Sequence, residues 1–256
     1  MSKIRLHTIP TTPPKKADKE KSIHELEKLK VKLEALQNLL FAESKHSLLV
    51  VLQGMDASGK DGVVRHVFDA VNPMGCRAIS FKEPTPIELK HNFLWRIHQN
   101  TPEKGMIHIF NRSYYEDVLI QRVHHVVDKK TIRQRYTHIN NFEKLLRDTG
   151  TYILKFYLHI SQEEQLKRLE ERLHDKTKMW KYNDNDVKER SYWAEYVKAY
   201  ESAFDHCSQY ADWHIIPSDK NWYKELLIAK KIVETMEGFK MKFPSLPKEE
   251  TNKNLK

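Results

Sequence analysis

Cysteine, long apolar runs, internal repeats and metal-binding spacings are scarce or missing in this sequence, and each shortage removes a class of protein. Two cysteines, Cys76 and Cys207, cannot build a disulfide framework, so a reduced cytoplasmic protein is the simplest fit. The longest strictly apolar run is the five residues Leu48 to Leu52, far short of the roughly 20 that a spanning helix needs. Met1-Ser2-Lys3-Ile4-Arg5 carries early charge with no apolar stretch behind it, which argues against a secretory signal. Fourteen histidines are present, yet His91, His98 and the pair His124-His125 match no zinc spacing. No Ser-His-Asp arrangement is visible, nor a helix-turn-helix, RNA-recognition or zinc-finger pattern.

What remains is a 256-residue chain with no repeat or long linker, which implies one domain with appendages. A formal charge of +9 fits a polyanionic partner, although surplus lysine can also be only solubilising. Position must decide between the two.

One stretch organises the chain. Leu48-Leu49-Val50-Val51-Leu52 stops at Gly54-Met55-Asp56-Ala57-Ser58-Gly59-Lys60-Asp61, the strand, loop and helix order of a phosphate-binding P-loop. Glycines let backbone N–H groups face an anion, the following helix adds its positive end, and Lys60 adds a point charge. Asp61 stands where Ser or Thr would hold magnesium. Asp56 inside the loop would repel a phosphate unless a divalent cation lies between them, so magnesium, or manganese in its place, enters as the expected metal with Asp56 as its ligand.

The flanking pattern predicts alternating helices and strands. Residues 1 to 45 read as a Pro- and Lys-rich arm laid over the surface, then a helix capped by Ser22 and Glu25 with an apolar stripe at Leu26, Leu29, Leu33, Leu36 and Leu40. The core spans 46 to 237, with strands at 47–53, 77–81, 106–110, 152–160 and 213–217. Helices are expected at 60–71, from a Thr85 and Glu88 box to Asn100, at 131–148, after the Ser161 and Glu164 box, from an Asp186 cap to Phe204, and at 222–236. The basic segment Arg172 to Lys181, interrupted by Trp180, reads as part of a lid over about 172–190. Residues 238–256 form a basic tail.

Polar residues at the carboxyl ends of parallel strands face the ligand. Here they are Asn111, where P-loop enzymes usually carry a metal-binding aspartate, Arg112, placed to grip a phosphoryl group or to pair with a surface acid, and Glu116 on the next turn, which could supply the missing carboxylate, orient an acceptor phosphate or be an exposed helix glutamate. Arg172, Lys178 and Lys181 of the lid could neutralise developing charge, or be a solvated run.

Gly54-x-Asp56-x-x-Gly59-Lys60, Phe81-Lys82-x-Pro84-Thr85, Phe93-Leu94-Trp95-Arg96, Phe110-Asn111-Arg112-Ser113-x-Tyr115-Glu116-Asp117-Val118-Leu119, Arg122-Val123-His124, Lys178-x-Trp180-Lys181 and Pro217-Ser218-Asp219-x-x-Trp222 together resemble the second family of polyphosphate kinases, over residues 20 to 237. Asn111 with Glu116 resembles the branch, class III, that takes both nucleoside mono- and diphosphates. The resemblance implies an α/β fold: a three-layer α/β/α P-loop kinase with a parallel sheet of about five strands and a helical lid. It implies magnesium dependence and assembly as a homo-oligomer, a dimer or tetramer. It further implies inorganic polyphosphate as donor, with AMP, ADP and ATP and also guanine nucleotides as partners, and neither nucleic acid nor membrane. By matching positions it gives catalytic roles to Asp56, Lys60, Arg112, Glu116 and Arg172. Phosphate or nucleotide contacts fall to Gly54, Met55, Ala57, Ser58, Gly59, Asp61, Lys82, Asn111, Arg122, Lys178 and Lys181. Two rivals stay open: an ATP-dependent P-loop kinase of a small metabolite, and a nucleic-acid-binding module with a vestigial loop.

Overall fold

The apolar run at Leu48 to Leu52 lies inside β1 (Ser47–Gln53), every residue of which is buried. A strand buried on both faces needs layers on both sides, and the alternation of its side chains sorts the core accordingly. Leu49 and Val51 pack with Phe110, Val118, Ile139 and Phe204. Leu48, Val50 and Leu52 pack with Leu33, Val63, Ile228 and Ile232 on the other face. The structure, a computed structural model, describes residues 3–245. The remainder of the expected basic tail lies outside the described residues.

In chain order the elements are α1 (Lys19–Glu43), β1, α2 (Lys60–Val67), β2 (Cys76–Ser80), α3 (Trp95–His98), β3 (Ile107–Asn111), α4 (Glu116–Val123), α5 (Lys129–Asp148), β4 (Thr151–His159), α6 (Gln162–His174), α7 (Asp184–Arg190), α8 (Trp193–His206), β5 (Trp213–Pro217) and α9 (Asn221–Glu237). The strands form one sheet in the order β2-β3-β1-β4-β5. All four neighbouring pairs are parallel, with Leu52 opposite Asn111 and Gln53 opposite Tyr157. Three layers and five parallel strands are the architecture that the sequence predicts. The register brings the loop after β1 beside the loop after β3.

The local signals translate unevenly. The first helix starts a turn earlier than the Ser22 and Glu25 box predicts, because Asp18 is an equally good cap: its side chain accepts from Lys21 N–H at 3.0 Å, and Ser22 Oγ donates back to the Asp18 carbonyl. The Thr85 and Glu88 box forms both of its hydrogen bonds. It nonetheless starts only a tight turn at Glu88–Lys90, because Asn92 opens a new turn by accepting Leu94 N–H, leaving four helical residues in α3. Helix α2 stops at Val67, short of Val71, where Phe68 and Val71 both turn into the core. Asp128 caps α5 through Thr131 N–H. Asn183, rather than Asp186, caps α7 in the segment expected to form a lid, and α7 breaks from α8 at Ser191 and Tyr192.

The N-terminal arm is anchored rather than laid over the surface. Leu6 is buried in the main core, and His159 Nε2 donates to the carbonyls of Leu6 and Ile9. Asp219 N–H and Asp219 Oδ2 hold Thr11 through its carbonyl and hydroxyl. At the other end, Phe239 and Met241 pack into the core beyond α9, so the first residues assigned to the tail belong to the folded body. Among the described residues no helix is long and apolar enough to cross a membrane.

Candidate active site

The loop from Gly54 to Gly59 turns off β1 in a shape that most residues resist. Gly54 has φ +152° and lies so close to Leu158 that a Cβ there would fall 2.9 Å from the Leu158 carbonyl and 2.8 Å from Ser58 Oγ. Gly59 has φ +93°, a left-handed value that glycine adopts without strain. Lys60 opens α2 and folds back beneath the loop. Its ammonium donates to the carbonyls of Gly54 at 2.8 Å and Met55 at 3.1 Å. Burial, with the Arg112 guanidinium next to it, pushes this ammonium down to about 8. Ser58 Oγ is fully buried and finds no hydrogen-bond partner, an orphaned group aimed at the loop interior.

Arg112 follows β3 in the left-handed region, at φ 63°. Its guanidinium meets Asp56 Oδ1 at 2.6 Å and lies 3.9 Å from Glu116 Oε2, so the loop acid and the α4 acid both hold it charged. Gln53, at the end of β1, donates its amide to Glu116 Oε1 and accepts from Ser113 Oγ, both at 3.0 Å. Behind this turn the hydroxyls of Tyr114 and Tyr115 donate to Glu143, which shares a fully buried ion pair with Lys155. That buried network fixes the backbone that carries Arg112 and Glu116.

A cleft of about 860 Å³ opens over the loop. Lys60, Arg65, Lys82, Arg112, Arg168, Arg172, Lys178 and Lys181 line it against six carboxylates, so its balance is positive before the loop amides are counted. The carboxylates are not idle. Lys181 reaches Asp61 at 2.8 Å, Arg172 pairs with Asp186, and Lys178 pairs with Glu171 and Asp175. Asn111 donates to the other oxygen of Asp61 at 2.7 Å. Burial opposes charge on Asp61, but the hydrogen bonds from Lys181 and Asn111 outweigh it and hold the carboxyl below its usual range. Asp186 is pushed up by burial and by the charge of Asp56. Of these pairs, Lys181–Asp61 joins the segment after α6 to the start of α2, and the others lie within α6 and that segment; a bound anion could replace the carboxylate partners.

Of the residues singled out from sequence, Asp56, Ala57, Gly59, Lys60, Asp61, Lys82, Asn111, Arg112, Arg172, Lys178 and Lys181 line this cleft. Gly54, Met55 and Glu116 border a cavity of about 30 Å³ on the far side of Asp56 and Arg112, walled by Tyr196, Tyr200 and Trp193. Arg122 is not brought in: it lines neither cavity, and its guanidinium donates to Tyr136 Oη. Sequence reasoning missed Gln165, Arg168 and Lys224, which reach the loop from α6 and α9. Glu164 and Arg168 form an i,i+4 pair on α6, a pattern common on surface helices that gives no sign of contact with the loop. Arg96, at the end of the Phe93-Leu94-Trp95-Arg96 motif, holds the Lys82 carbonyl at 2.9 Å.

Among the described residues, no group of three or more His, Cys, Asp or Glu side chains could hold a metal alone. Magnesium does not require one, since it commonly binds through one or two carboxylates, water and substrate phosphates. Asp56 with Glu116 close by, both turned toward Arg112, fits a metal that arrives with its phosphates.

Comparison with known proteins places this geometry in context. Residues 16–244 match the family "Polyphosphate kinase 2 (PPK2)". The chain is 50% identical over 227 residues to the AMP/ADP-polyphosphate phosphotransferase of Meiothermus ruber, covering 88% of this chain and 85% of that one. It is 41% identical to the ADP-polyphosphate phosphotransferase of Rhodopseudomonas palustris, covering 94% and 89%. The crystal structure of polyphosphate kinase 2 from Arthrobacter aurescens TC1 superposes with a TM-score of 0.93 at 39% identity, over 96% of this chain and 89% of that one.

Proposed function

The chain belongs to the polyphosphate kinase 2 family, and on that premise we propose that it passes the terminal phosphoryl group of inorganic polyphosphate to ADP and to AMP, forming ATP. The observation that carries the reading is the cleft itself: eight cationic side chains converge on a P-loop whose Lys60 is buried beneath it. A flexible polyanion suits such a track as phosphate backbones suit basic grooves elsewhere.

The division of labour follows from position. Loop amides and Lys60 hold the donor's end phosphates. Arg112, between the basic cleft and the small aromatic cavity, is placed to touch donor and acceptor phosphates together, and Glu116 shapes the acceptor side. Arg172, Lys178 and Lys181 exchange their carboxylate partners for phosphate oxygens as the lid settles. The family carries a divalent-metal requirement, and magnesium held by Asp56 would neutralise charge on the phosphates when bound. An acceptor oxygen in line with the terminal phosphoryl group then attacks with no covalent enzyme intermediate.

The test is to mix the purified chain with magnesium, polyphosphate and either ADP or AMP, and to measure ATP. ATP formed from both acceptors is expected. A chain that is inactive with polyphosphate of every length, yet phosphorylates a small metabolite from ATP, would replace this reading with the rival kinase.

The depressed ammonium of Lys60 adds a pH dependence. A lysine whose pKa lies near 8 loses its charge as pH rises through that value, so kcat/KM for polyphosphate should fall above about pH 8. Bound phosphate favours the charged form, so kcat at saturating polymer should hold to higher pH. Profiles of both constants between pH 6.5 and 9.5 check this, and superimposable upper limbs would contradict it.

A further inference from the structure

Arg168 and Lys224 border the phosphate loop, and the obvious reading makes them two more phosphate-binding cations. Their hydrogen bonds say otherwise. A guanidinium has five N–H donors, and all five of Arg168 are taken. Nε bonds Glu164 Oε1 at 2.9 Å. Nη1 bonds the carbonyls of Ala57 and Ser58 at 3.1 and 3.2 Å. Nη2 bonds those of Ser218 and Asp219 at 2.8 and 3.2 Å. The Lys224 ammonium has three donors, and three acceptors surround it: the carbonyls of Ser58 at 3.3 Å and Gly59 at 3.4 Å, and Asn221 Oδ1 at 2.9 Å.

Gln165 extends the pattern by donating to the Asp56 carbonyl at 3.0 Å. With Lys60 on Gly54 and Met55, every carbonyl from 54 to 59 has a side-chain donor. A peptide unit is rigid, so holding its C=O on one side fixes its N–H on the other. Gly59 shows how tight the arrangement is, because a Cβ there would collide with Lys224 Nζ. That glycine is needed for the approach of the lysine as well as for its left-handed φ.

We infer that Arg168, Lys224 and Gln165 form a carbonyl clamp behind the phosphate loop, acting as positioning residues that turn the loop amides toward the donor phosphate. Arg168 also ties the loop to the turn after β5, and so joins the sheet's last strand to the site. The clamp contributes electrostatic preorganisation: the amides point at the anion before it binds, with nothing left to rearrange. This deepens the proposed function and rests on it to the extent that the loop binds phosphate.

The test measures affinity for tripolyphosphate with magnesium by calorimetry, and steady-state constants, in Arg168→Lys, Lys224→Met and Gln165→Leu. Lys144→Ala, a surface ion-pair residue on α5, controls for loss of one positive charge. Arg168→Lys keeps the charge and loses the fork that holds four carbonyls, so a clamp predicts faster hydrogen exchange in the ligand-free loop, which loss of a direct phosphate contact alone would leave unchanged. The clamp predicts that tripolyphosphate affinity falls about 10- to 100-fold in Arg168→Lys and Lys224→Met and about threefold or more in Gln165→Leu. KM for polyphosphate should rise and kcat fall, with KM for ADP unchanged. Hydrogen exchange should quicken in the peptide spanning the loop, and in Arg168→Lys also in the turn after β5 that Arg168 holds.

Should one variant fail to fold, the other two carry the same expectation. Wild-type affinity and loop exchange in the folded variants would overturn the clamp. If the wild-type protein itself does not bind tripolyphosphate, it is the proposed function that fails, and the two failures are told apart in one experiment.

Discussion

Replacing Lys60 by methionine is expected to lower kcat/KM for polyphosphate-dependent phosphorylation of ADP by about 10³-fold or more, while the protein stays folded. Lys60 is the cation that the loop encloses, and methionine keeps its length without its charge. Two opposing changes make the effect on stability small. The variant loses donors to the Gly54 and Met55 carbonyls, at about 1 kcal/mol each. It also removes a buried ammonium that sits against Arg112, which offsets much of that loss. Thermal unfolding should therefore shift by only a few degrees, and a denatured variant is not the expected cause of inactivity. Lys60→Ala should be as inactive and somewhat less stable, since it also leaves a cavity. Wild-type turnover in either would remove Lys60 from the centre of the reaction.

Asp56→Asn carries the second large effect. The change is isosteric and leaves the Gln165 bond to the Asp56 carbonyl untouched. What it removes is the loop's carboxylate charge, which now faces Arg112 at 2.6 Å. Arg112 keeps Glu116 within 3.9 Å, so the guanidinium is not abandoned and the fold should hold. If Asp56 ligates magnesium, kcat/KM should fall by about 10³-fold, and the magnesium concentration for half-maximal rate should rise by about tenfold or more. An unchanged magnesium dependence with lost activity would assign Asp56 to orienting Arg112 instead.

The distance over which a residue acts decides how much of this could be read in advance. The sheet was legible, because strands as apolar as Leu48 to Leu52 or Tyr152 to Ile160 have few alternatives once punctuated by glycine and polar turns. The P-loop was legible because its chemistry is local: strand, glycines, lysine and helix lie within about a dozen residues. Helix starts were less so. Asp18 and Ser22 offer equivalent caps, and Thr85 with Glu88 makes a complete box that leads nowhere. Propensity sets what can begin, and packing sets what continues. The lid cations were visible as a charge run, but their pairing was not. Asp186 with Glu189 has the spacing of a helix start, and its bond to Arg172 joins residues on different helices, which no local pattern reveals.

The clamp was invisible for the same reason. Arg168 and Lys224 lie more than 100 residues from the loop carbonyls they hold, and nothing in their own helices marks them out. Arg122 errs in the opposite direction. It stood in a motif beside functional residues, yet it faces Tyr136 rather than the cleft. Neighbourhood along the chain therefore located this site without sorting its members.

The central claim is that one P-loop site passes phosphoryl groups from polyphosphate to both nucleoside mono- and diphosphate. It is tested most directly by starting the reaction with AMP, polyphosphate and magnesium, with no ATP present, and following all three adenine nucleotides by chromatography. The account predicts that ADP appears first and then declines as ATP accumulates, with total nucleotide constant, and that Arg112→Lys slows both steps together. AMP and ADP both left unchanged by the folded enzyme would contradict it, as would an Arg112→Lys variant that slows one step and spares the other.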